Sequence, residues 1–192
     1  MKATLLIAPL LLLVTLGVTA CQTRPQPATG PAVPIDPFTR DALAELAKGH
    51  TDKMQLGWYV ASPFRHVDPA IKQFAENMRS TQDTLHHRLN TWAETHHVDL
   101  KIHYNPADPR DRARQAMEKQ QGDALQADSN IDFQRDVLIL MNMDFQNQQA
   151  LIQTLLPRTT DPDLKAYLQE SLRVHTATLK TIHDLLARYK FQ

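Results

Sequence analysis

From residue 37 onward the hydrophobic positions recur every three to four residues, the spacing of one helix face, and strand-like alternation of β-branched residues is missing. The pattern predicts four long amphipathic helices. The first starts at Asp36-Pro37, an N-cap followed by proline at the first helical position, and runs to about Ala61, where Ser62-Pro63 ends it. Its apolar stripe is Leu43, Leu46, Ala47, Met54, Gly57 and Val60. The second opens with the same signal, Asp68-Pro69, and reaches about His97 with Ile71, Phe74, Ala75, Met78, Leu85, Leu89 and Trp92 on one face. The third covers about Asn130 to Leu156, with Phe133, Val137, Leu140, Met141, Leu151, Ile152 and Leu155 inward, and Pro157 stops it. Asp161-Pro162 starts the last, which carries Leu164, Tyr167, Leu168, Leu179, Ile182 and Leu186. Between the second and third, Asp108-Pro109 opens a short polar helix expected to reach about Gln121, with Gly122 breaking it. Four long helices joined mostly by short links predict an all-α, antiparallel four-helix bundle, with the short extra helix in the long connection.

An internal repeat supports this organisation. Asp68-Pro69-Ala70-Ile71-Lys72-Gln73-Phe74 is followed 93 residues later by Asp161-Pro162-Asp163-Leu164-Lys165-Ala166-Tyr167. In each half a long helix ends in a short linker and Asp-Pro starts the next, which reads as a duplicated helical hairpin.

Four segments carry a family resemblance: Gly49 to Ala61 (GHTDKMQLGWYVA), Ile71 to Leu89 (IKQFAENMRSTQDTLHHRL), Phe133 to Ile152 (FQRDVLILMNMDFQNQQALI) and Leu164 to Leu185. In these the chain resembles the ferritin-like family labelled domain of unknown function 4142, found in exported bacterial proteins. The resemblance implies a ferritin-like bundle with one polar residue per helix facing the centre, a Glu ahead of Leu-Gly in the first helix and His in the others. Ferritin-like proteins place metal ligands in this way. Here the corresponding positions are Lys53, Gln82, Phe145 and His175, so one suitable ligand of the four survives and no metal or other cofactor is expected. The stripes agree on two of these positions, since Gln82 falls between Met78 and Leu85 and His175 between Leu168 and Leu179. Gln82 and His175 are also related by the repeat offset, and the pair is expected to share a hydrogen bond across the bundle.

The segment ahead of the helices changes the picture of where the protein works. Lys2 and the apolar run through Leu10-Leu11-Leu12-Leu13-Val14 make residues 1–20 a signal peptide. Val18-Thr19-Ala20-Cys21 resembles a bacterial lipobox, so Cys21 is the expected lipidation site and the membrane contact is made through its lipid. Gln22, where Asp would signal inner-membrane retention, points to the outer membrane, periplasmic side, of a Gram-negative host. Residues 21–36 then form the lipidated cysteine and a tether, since five of the twelve prolines fall within 22–37. Residues 37–192 form the folded domain.

Composition narrows the chemistry further. Lys and Arg (21) balance Asp and Glu (21), and there is no basic aromatic stripe, so no nucleic-acid partner is expected. Cys21 is the single cysteine, which excludes a disulfide framework and a Cys-based zinc cage. Among the nine histidines, His86-His87 and His96-His97 are adjacent pairs that diverge by about 100° on a helix. They are expected to face solvent, with His50, His66 and His103 contributing at most to an adventitious zinc or copper surface. Ser62, Ser80, Ser129 and Ser171 occupy no Gly-x-Ser-x-Gly elbow, and HExxH is missing. Asp144, near the interior, is the carboxylate on which a hydrolase reading would rest. The segment around Asp108 to Gln121 is expected to be a solvated helix capping the bundle. These readings converge on a non-enzymatic binding or scaffolding module of the cell envelope, with an envelope protein as partner; the alternative is a metal-binding or stress-related ferritin-like protein.

Overall fold

The computed structural model describes residues 35–127 and 130–188. The expected signal peptide, Cys21 and most of the expected tether lie outside the described residues. The elements are α1 (Pro37–Ala61), α2 (Pro69–His96), α3 (Pro109–Ala127), α4 (Asn130–Leu155), a single 3-10 turn at Leu156–Arg158, and α5 (Pro162–Arg188). Among the described residues there is no strand, and no helix is long and apolar enough to cross a membrane.

The Asp-Pro signals work as N-caps. Asp36 accepts hydrogen bonds from the backbone N–H of Thr39 (3.1 Å) and from its hydroxyl (2.6 Å). Asp68 accepts from Ala70 N (2.7 Å) and Asp161 from Leu164 N (2.7 Å), each filling an orphan donor of a helix start. Asp161 also accepts from Trp92 Nε1 (3.0 Å), which ties the start of α5 to the end of α2. A shift of 93 residues carries the starts of α1 and α2 (Pro37, Pro69) onto those of α4 and α5 (Asn130, Pro162). The duplicated hairpin is therefore a feature of the fold.

α3 departs from expectation. It continues through Gly122 to Ala127, because glycine in an exposed helix costs about 1 kcal/mol but blocks nothing. α3 is held to the bundle by Arg114, whose guanidinium pairs with both carboxylate oxygens of Glu45 on α1, and by Lys48 against Glu118 (3.3 Å).

Helices α1 and α2 pack closely, as do α4 and α5, and the two hairpins meet through α2 with α5 and α1 with α4. The core divides into two apolar clusters. One joins Leu43 and Leu46 of α1 to Leu89 of α2, Ile152 of α4 and Leu168 of α5; the other joins Val60, Ile71, Phe133, Met141 and Ile182. The first half of α1 thus meets the second half of α2, the antiparallel arrangement expected of a hairpin.

At Gly57, α1 and α2 approach closely. A side-chain carbon there would lie 2.9 Å from the carbonyl oxygen of Ala75 and 3.1 Å from Cβ of Arg79. Backbone oxygen cannot swing aside, so overpacking at about 1–3 kcal/mol outweighs the gain of about 1 kcal/mol in helix propensity. Gly57→Ala is therefore expected to lower the urea midpoint. Gly122→Ala, with nothing within 4 Å of the added carbon, is expected to raise it. Equal shifts in the two variants would refute the close approach.

Candidate functional site at the bundle centre

The apolar stripes that build the two clusters are interrupted at the same level in every long helix. On α1 the interruption is His50 and Lys53, on α2 Gln82, on α4 Gln148, and on α5 Ser171 and His175. His50, Gln82, Ser171 and His175 have no solvent exposure, Lys53 has 2% and Gln148 has 7%. A polar layer thus crosses the core between its two apolar halves.

His50 is its structural hub. Its Nδ1–H donates to Gln82 Oε1 (2.6 Å), which leaves Nε2 to accept from the Tyr167 hydroxyl (2.7 Å). One neutral imidazole so joins α1, α2 and α5. Burial holds it neutral, pulling its pKa down to about 4 against a smaller opposing effect of the Gln82 hydrogen bond. The same burial drives the Tyr167 hydroxyl well above the usual phenol range.

His175 stands edge-on to His50, with ring centroids 6.0 Å apart, and to Phe145 at 5.0 Å. Neither of its nitrogens has a hydrogen-bond partner, and burial, reinforced by His50 and Lys53, lowers its pKa to about 3. The expected Gln82–His175 bond is not formed. His50 takes the Gln82 amide oxygen instead, so His50 belongs to the core and not to a solvent-facing metal surface. Periodicity carries the missed signal: His50 continues the Leu43, Leu46, Ala47 stripe, and Gln148 sits between Phe145 and Ile152.

Lys53 is the charge in this layer. Its ammonium donates one long bond to Gly49 O (3.4 Å) and lies 4.8 Å from the centroid of the Phe145 ring. Among the described residues no carboxylate lies within ion-pair distance of it. Burial lowers its pKa to about 8, and the half-buried Asp144 is the charge that opposes this most strongly. Burial in turn raises the Asp144 carboxyl, with Lys53 pulling the other way.

The remaining histidines are dispersed. His86 bonds Asn90 (2.9 Å), His87 lies 3.4 Å from Asp83, and His96 stacks on Trp92 at 4.6 Å while lying 3.3 Å from Asp161. His97 closes α2 in the left-handed conformation (φ 55°), and His103 pairs with Asp99 at 3.0 Å. Glu94 and His97 have Glu-x-x-His spacing, yet both are exposed beyond the core. Among the described residues no three His, Cys, Asp or Glu side chains are grouped to hold an ion. At the centre, where the family resemblance implies metal ligands, the layer holds the Lys53 ammonium and no carboxylate, and that residue set does not fit a cation. Ser171 Oγ has no partner, so it lacks the hydrogen-bonded base that would activate a nucleophile.

None of the curated proteins matches this chain. The chain is similar to the crystal structure of a DUF305 fragment from Deinococcus radiodurans, with a TM-score of 0.66 and 14% identity over 83% of this chain and 100% of that one. At that identity the likeness speaks for the fold, a helical bundle, and for nothing more. The family model described as a domain of unknown function, DUF4142, matches residues 25–185, and the chain belongs to that family.

Proposed function

We propose that this protein is a lipid-anchored, periplasm-facing lipoprotein of the outer membrane that acts as a non-enzymatic binding or scaffolding module. The carrying observation is a groove between α1 and α2. It has a volume of about 720 Å³ and is lined by Met54, Trp58, Tyr59, Arg79 and Asp83, among others. Trp58 is 66% exposed there, whereas Trp92, of the same size, is buried in the core. Tryptophan, tyrosine and arginine are the residues enriched among the anchors of protein interfaces, and this groove presents all three. Met54, expected inside with the apolar stripe, is half-buried and lines the same groove. The Val18-Thr19-Ala20-Cys21 run supports the anchor, and the Pro-rich residues after it supply reach.

The alternative, a metal-binding or stress-related role, has less support because Lys53 occupies the position where the fold would want a carboxylate. Two substitutions test the preferred reading. Cys21→Ser is expected to move the protein from the membrane to the soluble fraction; continued membrane association would refute lipid anchoring. A photo-crosslinker at position 55, exposed in the same groove, is expected to join a discrete envelope protein, and Trp58→Ala to lose that partner while the melting temperature holds. Equal recovery of the partner with Trp58→Ala would refute the groove as its binding surface.

A further inference from the structure

The bundle interior holds more hydrogen-bonding capacity than its own side chains use. Gln82 Nε2, Gln148 Oε1, Ser171 Oγ and both nitrogens of His175 are buried without a partner. Each such group costs roughly 1–3 kcal/mol when left unmade, and the donors among them, Gln82 Nε2 and the N–H of the neutral His175, point to a guest that accepts hydrogen bonds. Gly49 makes room at one side of the layer. A side-chain carbon on Gly49 would lie 1.6 Å from Gln148 Nε2 and 3.6 Å from Lys53 Nζ, so the missing Cβ is what lets the amide settle beside the ammonium. Thr51 and His86 border a surface cavity of about 370 Å³, and they are close chain neighbours of His50 and Gln82 in the layer.

Charge decides the class of guest. The layer contains one ammonium, two neutral imidazoles, amide and hydroxyl donors, and no carboxylate. Asp144, which acts on Lys53 through space, lies beyond ion-pair distance and is partly solvated. A metal cation would be repelled, and a neutral guest would leave the buried charge uncompensated. We propose that the centre of the bundle is a binding site for a small monoanion of the chloride, formate or nitrate class, held by Lys53 with the Gln82 amide N–H and the His175 N–H around it. The small size follows from the packing, since Phe145 and Tyr167 wall the layer and neither is exposed by more than 2%.

The test uses purified full-length protein. Thermal unfolding is followed at constant ionic strength while gluconate, too bulky for the core, is exchanged for chloride, formate or nitrate. A saturable rise in Tm is expected, about 5 °C at a hundredfold excess over Kd, with no rise in Lys53→Met. An identical Tm in all four anions, or the same rise in Lys53→Met, would overturn the site. Crystals grown in bromide test the unaltered protein and stand even where the variant fails to fold. An anomalous peak within hydrogen-bond distance of Lys53 Nζ is expected, and the lack of one overturns the proposal.

Discussion

Lys53→Met is expected to stabilise the protein by about 3 kcal/mol at pH 7 in a buffer of bulky anions. The wild-type ammonium has a pKa of about 8 in the fold against 10.5 for an unperturbed lysine. At about 1.4 kcal/mol per unit, that difference is the cost of keeping the charge inside. The sign follows from proton counting. Below pH 8 both folded and unfolded chains carry the proton, and the full penalty applies. Between pH 8 and 10.5 the folded lysine gives its proton up first, so wild-type stability rises with pH relative to the variant and the gap closes. Methionine matches the length of the lysine stem and keeps contact with Phe145, so little packing is lost. The attraction to Asp144 is already contained in that net difference. Urea midpoints of both proteins at pH 7 and pH 10.5 check the prediction. A less stable variant at pH 7, or a gap that does not narrow with pH, would mean that the ammonium is already compensated inside the fold.

The architecture is legible in the chain because its determinants are local. Aspartate followed by proline caps a helix wherever it occurs, so the starts of α1, α2, α3 and α5 could be placed from neighbouring residues. The end of α3 could not, because nothing packs where a side chain on Gly122 would sit and a glycine stops a helix only when context exploits its freedom. The polar layer was half legible. Gln82 and His175 fall between apolar neighbours on their stripes, and Lys53 is reached through the family resemblance. Reading α1 by apolar residues alone selects Met54 for the interior, whereas Lys53 is the one buried and Met54 borders the groove. His50 escaped for a similar reason, since an isolated histidine reads as solvent-facing. Its burial depends on Gln82 and Tyr167, which lie 32 and 117 residues away and supply its two hydrogen bonds. Helix existence is fixed within a few residues, but the identity of a buried polar partner is fixed by tertiary contact.

Acid should unfold this bundle earlier than its carboxylates alone would allow. His50 and His175 are held neutral in the fold, with pKa values of about 4 and about 3 against 6.5 when unperturbed. Between pH 6.5 and 4 the unfolded chain therefore binds protons that the folded chain refuses. Stability is fully present above pH 6.5 and falls as pH drops through this window, by up to about 2.7 kcal/mol per pH unit while both sites differ. The neighbouring charges do not reverse the sign. Lys53 is protonated throughout the window and opposes a second and third positive charge in the layer. Asp144, with its raised carboxyl, recovers part of the loss only as it takes up its own proton. The lowered carboxylates, such as Asp36, Asp99 and Asp108, titrate mainly below the window and are exposed, so the loss between pH 7 and 4.5 belongs to the interior imidazoles. The expected drop is on the order of 5 kcal/mol, comparable with the whole stability of many domains. His175→Leu removes one of the two protons and should retain about half of that loss. Urea midpoints at pH 7 and 4.5 decide the matter: equal midpoints for the wild type would show that the imidazoles are protonated in the fold. An undiminished drop in His175→Leu would move the acid sensitivity away from the polar layer.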